Sequence, residues 1–153
     1  MIKLGVIVLC AGAYVSAAHA EDLSPEQKAV EVRQSLFHLL EWNYAPTIGA
    51  MLKNKMEYDP TLVRKNATRL EALAQMIPDA FAVDTREVTG VKTRARGAIW
   101  ATMADFKAKS EDLAKAAAKL SEVTQSGDEK AFRQAAVAVG KACGACHDDF
   151  REK

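Results

Sequence analysis

The last part of the chain reads F-R-Q-A-A-V-A-V-G-K-A-C-G-A-C-H-D-D-F, Phe132 to Phe150, and its reading decides the fold. Phe132, Ala136, Val139, Cys143, Cys146 and Phe150 recur at three- and four-residue spacing, the period of one helix face. The same stripe carries a chemical motif. Cys143, Cys146 and His147 stand at i, i+3 and i+4, so two thiols and an imidazole project together towards whatever packs on this helix.

Three chemistries use such a set. Covalent haem attachment adds the two thiols to the haem vinyl groups and gives the next residue, His147, to the iron as proximal ligand. A zinc site would need a fourth ligand and a closed tetrahedral set. A redox dithiol normally sits at a helix N-terminus beside a strand, where the thiol pKa falls. The order C-x-x-C-H favours haem, since nothing about packing asks for a histidine at 147.

Working outward, the preceding Ser126-Gly127-Asp128-Glu129 reads as a turn and a capping box that opens this fourth helix. A third helix has Ile99, Met103, Phe106, Leu113, Ala117 and Leu120 as its inner face. Residues 78 to about 96 show no period and form a long crossover with a basic cluster, Arg86, Lys92, Arg94 and Arg96. Asp59-Pro60 starts a second helix whose core positions are Val63, Ala67, Leu70, Ala74 and Ile77, until Pro78. The first helix opens at the capping box Ser24-Pro25-Glu26-Gln27 and presents Ala29, Val32, Leu36, Leu39 and Leu40, widened by Val30, Phe37 and Tyr44. Pro46 should kink or end it near Ala45 before Ile48, Met51 and Leu52 continue it. Trp42 and Trp100 are expected at helix interfaces or against haem or a partner subunit, and Met51, Met56, Met76 and Met103 as core filler. The fold class is therefore all-α, an antiparallel four-helix bundle enclosing a covalently attached haem.

The chain has 153 residues, room for one domain with a real core. Residues 1–20 read as a secretory signal peptide: Lys3, an apolar run from Leu4 to Tyr14, and Ala18-His19-Ala20 before Glu21-Asp22. Leu9 before Cys10 is a poor lipoprotein signal, and the run is too short to span a bilayer. Cleavage after Ala20 leaves one bundle domain, 21–153, in an exported, periplasmic product without membrane insertion. It removes one Lys and no acid from the 21 basic and 20 acidic side chains, leaving 20 of each. That balance gives no pull towards nucleic acid. Of three cysteines only Cys143 and Cys146 remain, so no disulfide framework is available. No second set of acid, base or nucleophile accompanies the motif, which argues against an enzyme.

Three stretches now resemble the cytochrome c′ family of bacterial periplasmic haem proteins: S-P-E-Q-K-A-V-E-V-R-Q-S-L-F (24–37), R-G-A-I-W-A-T-M-A-D-F-K (96–107) and C-G-A-C-H-D-D-F-R (143–151). The position of the motif in the last helix is the specific feature, because small cytochromes c carry it near the N-terminus. The resemblance implies one haem c on Cys143 and Cys146, His147 as the iron ligand, and Arg151 as the basic residue beside that imidazole. Arg33 and Gln34 match a pair near the haem propionates, where a guanidinium forks onto a carboxylate; a lone helical Arg would otherwise read as a solvated surface charge. Phe37 matches the side chain over the iron, and Phe106 is expected to contact the haem. Relatives with a second protein ligand take a Met from the first helix, and none occurs between Glu21 and Ala50. His38 points about 100° away from Phe37 around the helix.

A five-coordinate iron under a crowded apolar distal face is thus expected, binding NO, and CO when ferrous. The resemblance also implies a homodimer. An electron carrier serving a periplasmic redox partner is the alternative function, and a metal or dithiol protein without haem the third.

Overall fold

The computed structural model describes residues 22–153; the expected signal peptide and its cleavage site lie outside them. Helix α1 (Pro25–Asn43) begins where Ser24 Oγ accepts from Gln27 N–H and Gln27 Oε1 accepts from Ser24 N–H, the reciprocal capping box read in the sequence. Pro46 does not stop the chain. A π-turn over Tyr44–Ile48 absorbs its missing donor, and α2 (Gly49–Leu52) continues the same rod with Ile48 and Met51 fully buried.

Asp59 caps α3 (Pro60–Gln75) by accepting from Thr61 and Leu62 N–H. All five expected core positions are buried: Val63, Ala67, Leu70, Ala74 and Ile77. Pro78 does not end the helical course there; it sits in the first turn of the short α4 (Ile77–Ala80), where a proline is tolerated. The crossover then leads to α5 (Ala98–Ala101) and α6 (Met103–Val123), and α7 (Glu129–Phe150) closes the bundle. The cap of α7 is Asp128, which accepts from Lys130 and Ala131 N–H; Ser126 instead accepts from Asp128 N–H within the turn, and Gly127 takes φ 75°. The expected capping box thus becomes a one-residue cap, because the positive φ of the glycine turns the chain before the helix starts.

The rod α1–α2, then α3, α6 and α7, form the four-helix bundle. Among the described residues there is no strand, only an isolated bridge between Ala95 and Arg151, and no helix long and apolar enough to cross a membrane. Helix α6 packs on both α3 and α7, and α1 packs on α3 and α4. Tyr44 reaches across from the π-turn to donate from Oη to Ala136 O at 2.9 Å.

Helix α1 corrects the expected stripe. Val30, Arg33, Leu36 and Asn43 face inward, with Phe37, Leu40 and Tyr44 partly buried, while Val32 and Leu39 are 59% and 50% exposed. Apolar residues cover about two-thirds of the circumference of this helix, so its period leaves the inward face ambiguous by about one residue. Trp42 is corrected too: it is 70% exposed rather than packed between helices. Met51 is core as expected, whereas Met56 and Met76 are exposed.

Candidate haem-attachment site

Cys143 and Cys146 lie about four turns into α7, half-buried and free, with their side chains packed against the main apolar cluster. Burial pushes both thiols up, Cys146 to about 11. Lys109 is the nearby cation, but its ammonium is held 3.0 Å from Asp149. Zinc ligation and dithiol redox chemistry both use the thiolate. Here the low-polarity surroundings favour the neutral thiol, and the negative end of the α7 dipole favours it further.

His147 stands half-buried beside Cys146. Its imidazole is held below its ordinary value first by burial, then by the guanidinium groups of Arg151 and Arg94. It is therefore neutral near neutral pH, the form that ligates metal. Arg151 Nη1 lies 3.1 Å from His147 Nδ1. A guanidinium only donates, so Nδ1 accepts in this contact and the ring proton is assigned to Nε2.

Next to the motif runs a chain of aromatic rings. Phe37 on α1 meets Phe81 edge-on at 6.1 Å, Phe81 lies 4.6 Å from Phe106, and Phe106 lies 5.4 Å from Phe150 at the end of α7. Trp100 joins Phe81 at 6.1 Å and donates from its indole to Phe81 O. The sequence reading placed Phe37, Phe106 and Phe150 inward and Trp100 at an interface, but missed Phe81, which lies in an aperiodic stretch just after Pro78.

Arg33 is 3% exposed. Its guanidinium donates to Ala80 O at 3.2 Å and to Thr85 Oγ1 at 2.9 Å, and lies 4.2 Å from the Phe81 ring centroid. Among the described residues no carboxylate pairs with it, and burial lowers its pKa to about 10. Gln34 is exposed and donates to Lys92 O at 2.7 Å. The two adjacent residues therefore diverge, Arg33 into the core and Gln34 onto the crossover. His38 is exposed.

The residues present fit a tethered haem. Two neutral thiols and a neutral imidazole share one helix face beside an aromatic surface suited to a flat apolar macrocycle, and a buried cation without a carboxylate suits its acidic side chains.

Comparison with known proteins agrees with this chemistry. The family model described as cytochrome C′ matches residues 28–151. A cytochrome c′ of Rubrivivax gelatinosus is 34% identical over 125 residues, covering 82% of this chain and 95% of that one. The structure of cytochrome c prime from Shewanella frigidimarina superposes with a TM-score of 0.79 at 30% identity, covering 86% of this chain and all (100%) of that chain. A nitric oxide complex of a variant of the Alcaligenes xylosoxidans protein superposes with a TM-score of 0.75 at 30% identity, covering 86% and 100%. Family model, relatives and four-helix structures converge with the thiol pair on one conclusion: this chain belongs to the cytochrome c′ family and holds haem c covalently through Cys143 and Cys146.

Proposed function

We propose that this protein is a periplasmic gas-binding cytochrome, with His147 as the proximal ligand and an open but crowded position under Phe37 that takes NO, and CO when ferrous. One observation carries the reading. The inward residues of α1 are Val30, Arg33, Leu36, Phe37, Leu40 and Asn43, none of them a usual iron ligand, while His38, the one imidazole on that helix, is exposed. A bound haem would supply the iron on which a diatomic molecule coordinates. The chain then decides which molecules arrive.

Phe37 packs edge-on against Phe81 and presents hydrocarbon rather than a hydrogen-bond donor. Anions and water gain little from such surroundings, whereas small neutral diatomics lose little on entering. Poor reversible oxygen binding follows, because bound oxygen gains from a donor that this wall lacks. The nitric oxide complex of the Alcaligenes xylosoxidans variant supports NO as the ligand here. Arg33, buried and free of carboxylates, is assigned to the haem propionates, Gln34 to the rim, and Phe106 to the apolar contact surface.

The ferrous protein is expected to be high-spin and to shift its visible spectrum with both NO and CO. Phe37→Ala should raise the CO association rate about tenfold, the factor that ~1.4 kcal/mol off a barrier provides. A low-spin ferrous protein that ignores CO would instead favour the electron carrier. An unchanged rate would remove Phe37 as the gate.

The outer face of α1 supports the homodimer. Val32, Leu39 and Trp42 lie within about 80° of one another around the helix and are all exposed, a contiguous apolar stripe that a second copy would cover. Trp42→Glu should convert the holoprotein to a monomer in sedimentation velocity with its spectrum unchanged; a dimer of unaltered affinity would place the interface elsewhere. Export after cleavage at Ala20 belongs to the same reading, and intact-mass measurement of the periplasmic product tests it.

A further inference from the structure

The last turn of α7 leaves carbonyl groups without partners inside the helix. Arg96, at the far end of the crossover, satisfies two of them. Its backbone N–H donates to Phe150 O and its Nη1 to Asp149 O, each at 3.0 Å. Around it, Glu152 N–H donates to Arg94 O at 2.8 Å, Ala95 bridges Arg151, and Arg96 Nε lies 3.7 Å from Glu152 Oε1. A cation at a helix C-terminus also complements the dipole there. The residue held by this arrangement is Arg151, extended at φ −121° and ψ 135°, with its guanidinium against His147.

We propose that Arg96 is a positioning residue for the proximal histidine: by capping α7 from the crossover, it fixes the backbone of Arg151 so that the guanidinium stays beside His147. The inference rests on the reading of His147 as the iron ligand. Carboxylate partners of a ligating imidazole raise its basicity. A guanidinium acts in the opposite sense. With Nε2 given to iron, the ring proton would sit on Nδ1, which could then no longer accept from Arg151; the backbone that Arg96 caps would keep the guanidinium nearby, as a positive charge that draws electron density from the imidazole. Its steady placement weakens donation to the iron and favours the reduced state. The basic cluster in the crossover thereby gains a specific role that its composition alone does not reveal.

The test uses the holoprotein, with the iron–imidazole stretching band of the ferrous state read by resonance Raman, the midpoint potential, and amide exchange at Glu152. Arg96→Ala should move the band to higher frequency, lower the potential, and speed exchange at Glu152 about tenfold or more, as expected for losing a charge-assisted bond at a helix end. Arg96→Lys, which keeps charge and backbone, should lie between variant and parent, and it carries the test if Arg96→Ala does not fold. In an Arg151→Ala background, Arg96→Ala should shift neither band nor potential further, because Arg96 acts through Arg151. A lower thermal midpoint with band and potential equal to the parent would make Arg96 a structural cap only and overturn the proposal. Absence of any iron–imidazole band in the parent would overturn the ligand assignment of His147, and this inference with it.

Discussion

The double substitution Cys143→Ser/Cys146→Ser is expected to give a chain from which acidified organic solvent extracts all the haem, while the parent keeps its haem through denaturation. The change is from complete retention to none. Covalent attachment keeps the cofactor at a fixed, high effective concentration beside His147. Without it, retention depends on coordination and apolar contact and so falls with dilution. Each single substitution should leave one thioether, and with it a haem that resists extraction. Both sulfurs are half-buried on the same face of α7 and packed against the main apolar cluster, so either is placed to carry the single link. Haem surviving denaturation in the double variant would mean that some other group carries the link.

Phe106→Ala is expected to lower the unfolding free energy of the holoprotein by about 3–5 kcal/mol, measured by urea titration. The ring is 2% exposed and joins α6 to both the crossover and α7, through Phe81 at 4.6 Å and Phe150 at 5.4 Å. Its removal deletes transfer energy and two aromatic contacts, and it leaves a space that rigid neighbours cannot fill. Because Phe81 also lies beneath the Arg33 guanidinium, the loss should couple to Arg33. A cycle of Phe106→Ala with Arg33→Met should show an interaction of about 0.5 kcal/mol or more. Phe106→Leu should cost about 1.5 kcal/mol or less, since most of the volume is kept. A loss below about 1 kcal/mol for Phe106→Ala would place the energetic centre of the bundle away from the aromatic chain.

Helices α3 and α7 were legible because each alternates one apolar face with polar positions, so only one rotation buries the apolar set. Every core position read for the second helix, from Val63 in α3 to Ile77 at the start of α4, is buried. The Ser24 cap and the interruption at Pro46 were legible for the same local reason: a side-chain oxygen three residues from an orphan N–H, and a missing donor, act within one turn. Helix α1 was not, because its apolar residues spread over about two-thirds of its circumference and period alone cannot rank the rotations within that arc. The inward turn of Arg33 was unreadable on that ground. A helical arginine is ordinarily solvated, and the carbonyls of Ala80 and Val83, the hydroxyl of Thr85 and the rings of Phe81 and Trp100, 47 to 52 residues away for the three hydrogen bonds, make its burial tolerable.

By itself, then, the sequence determined that the chain is helical, where α1 and α3 begin, and that two thiols and an imidazole share a face of the last helix. These follow from interactions within four residues, which the order of side chains specifies directly. Tertiary structure alone decided which face of α1 meets the bundle, that Arg33 and Gln34 part company, that Trp42 is left outside, and that Arg96 reaches Asp149 and Phe150. Those outcomes depend on burying the most apolar area while giving most interior donors and acceptors a partner. That balance is struck among helices far apart in the chain, and no local pattern records it.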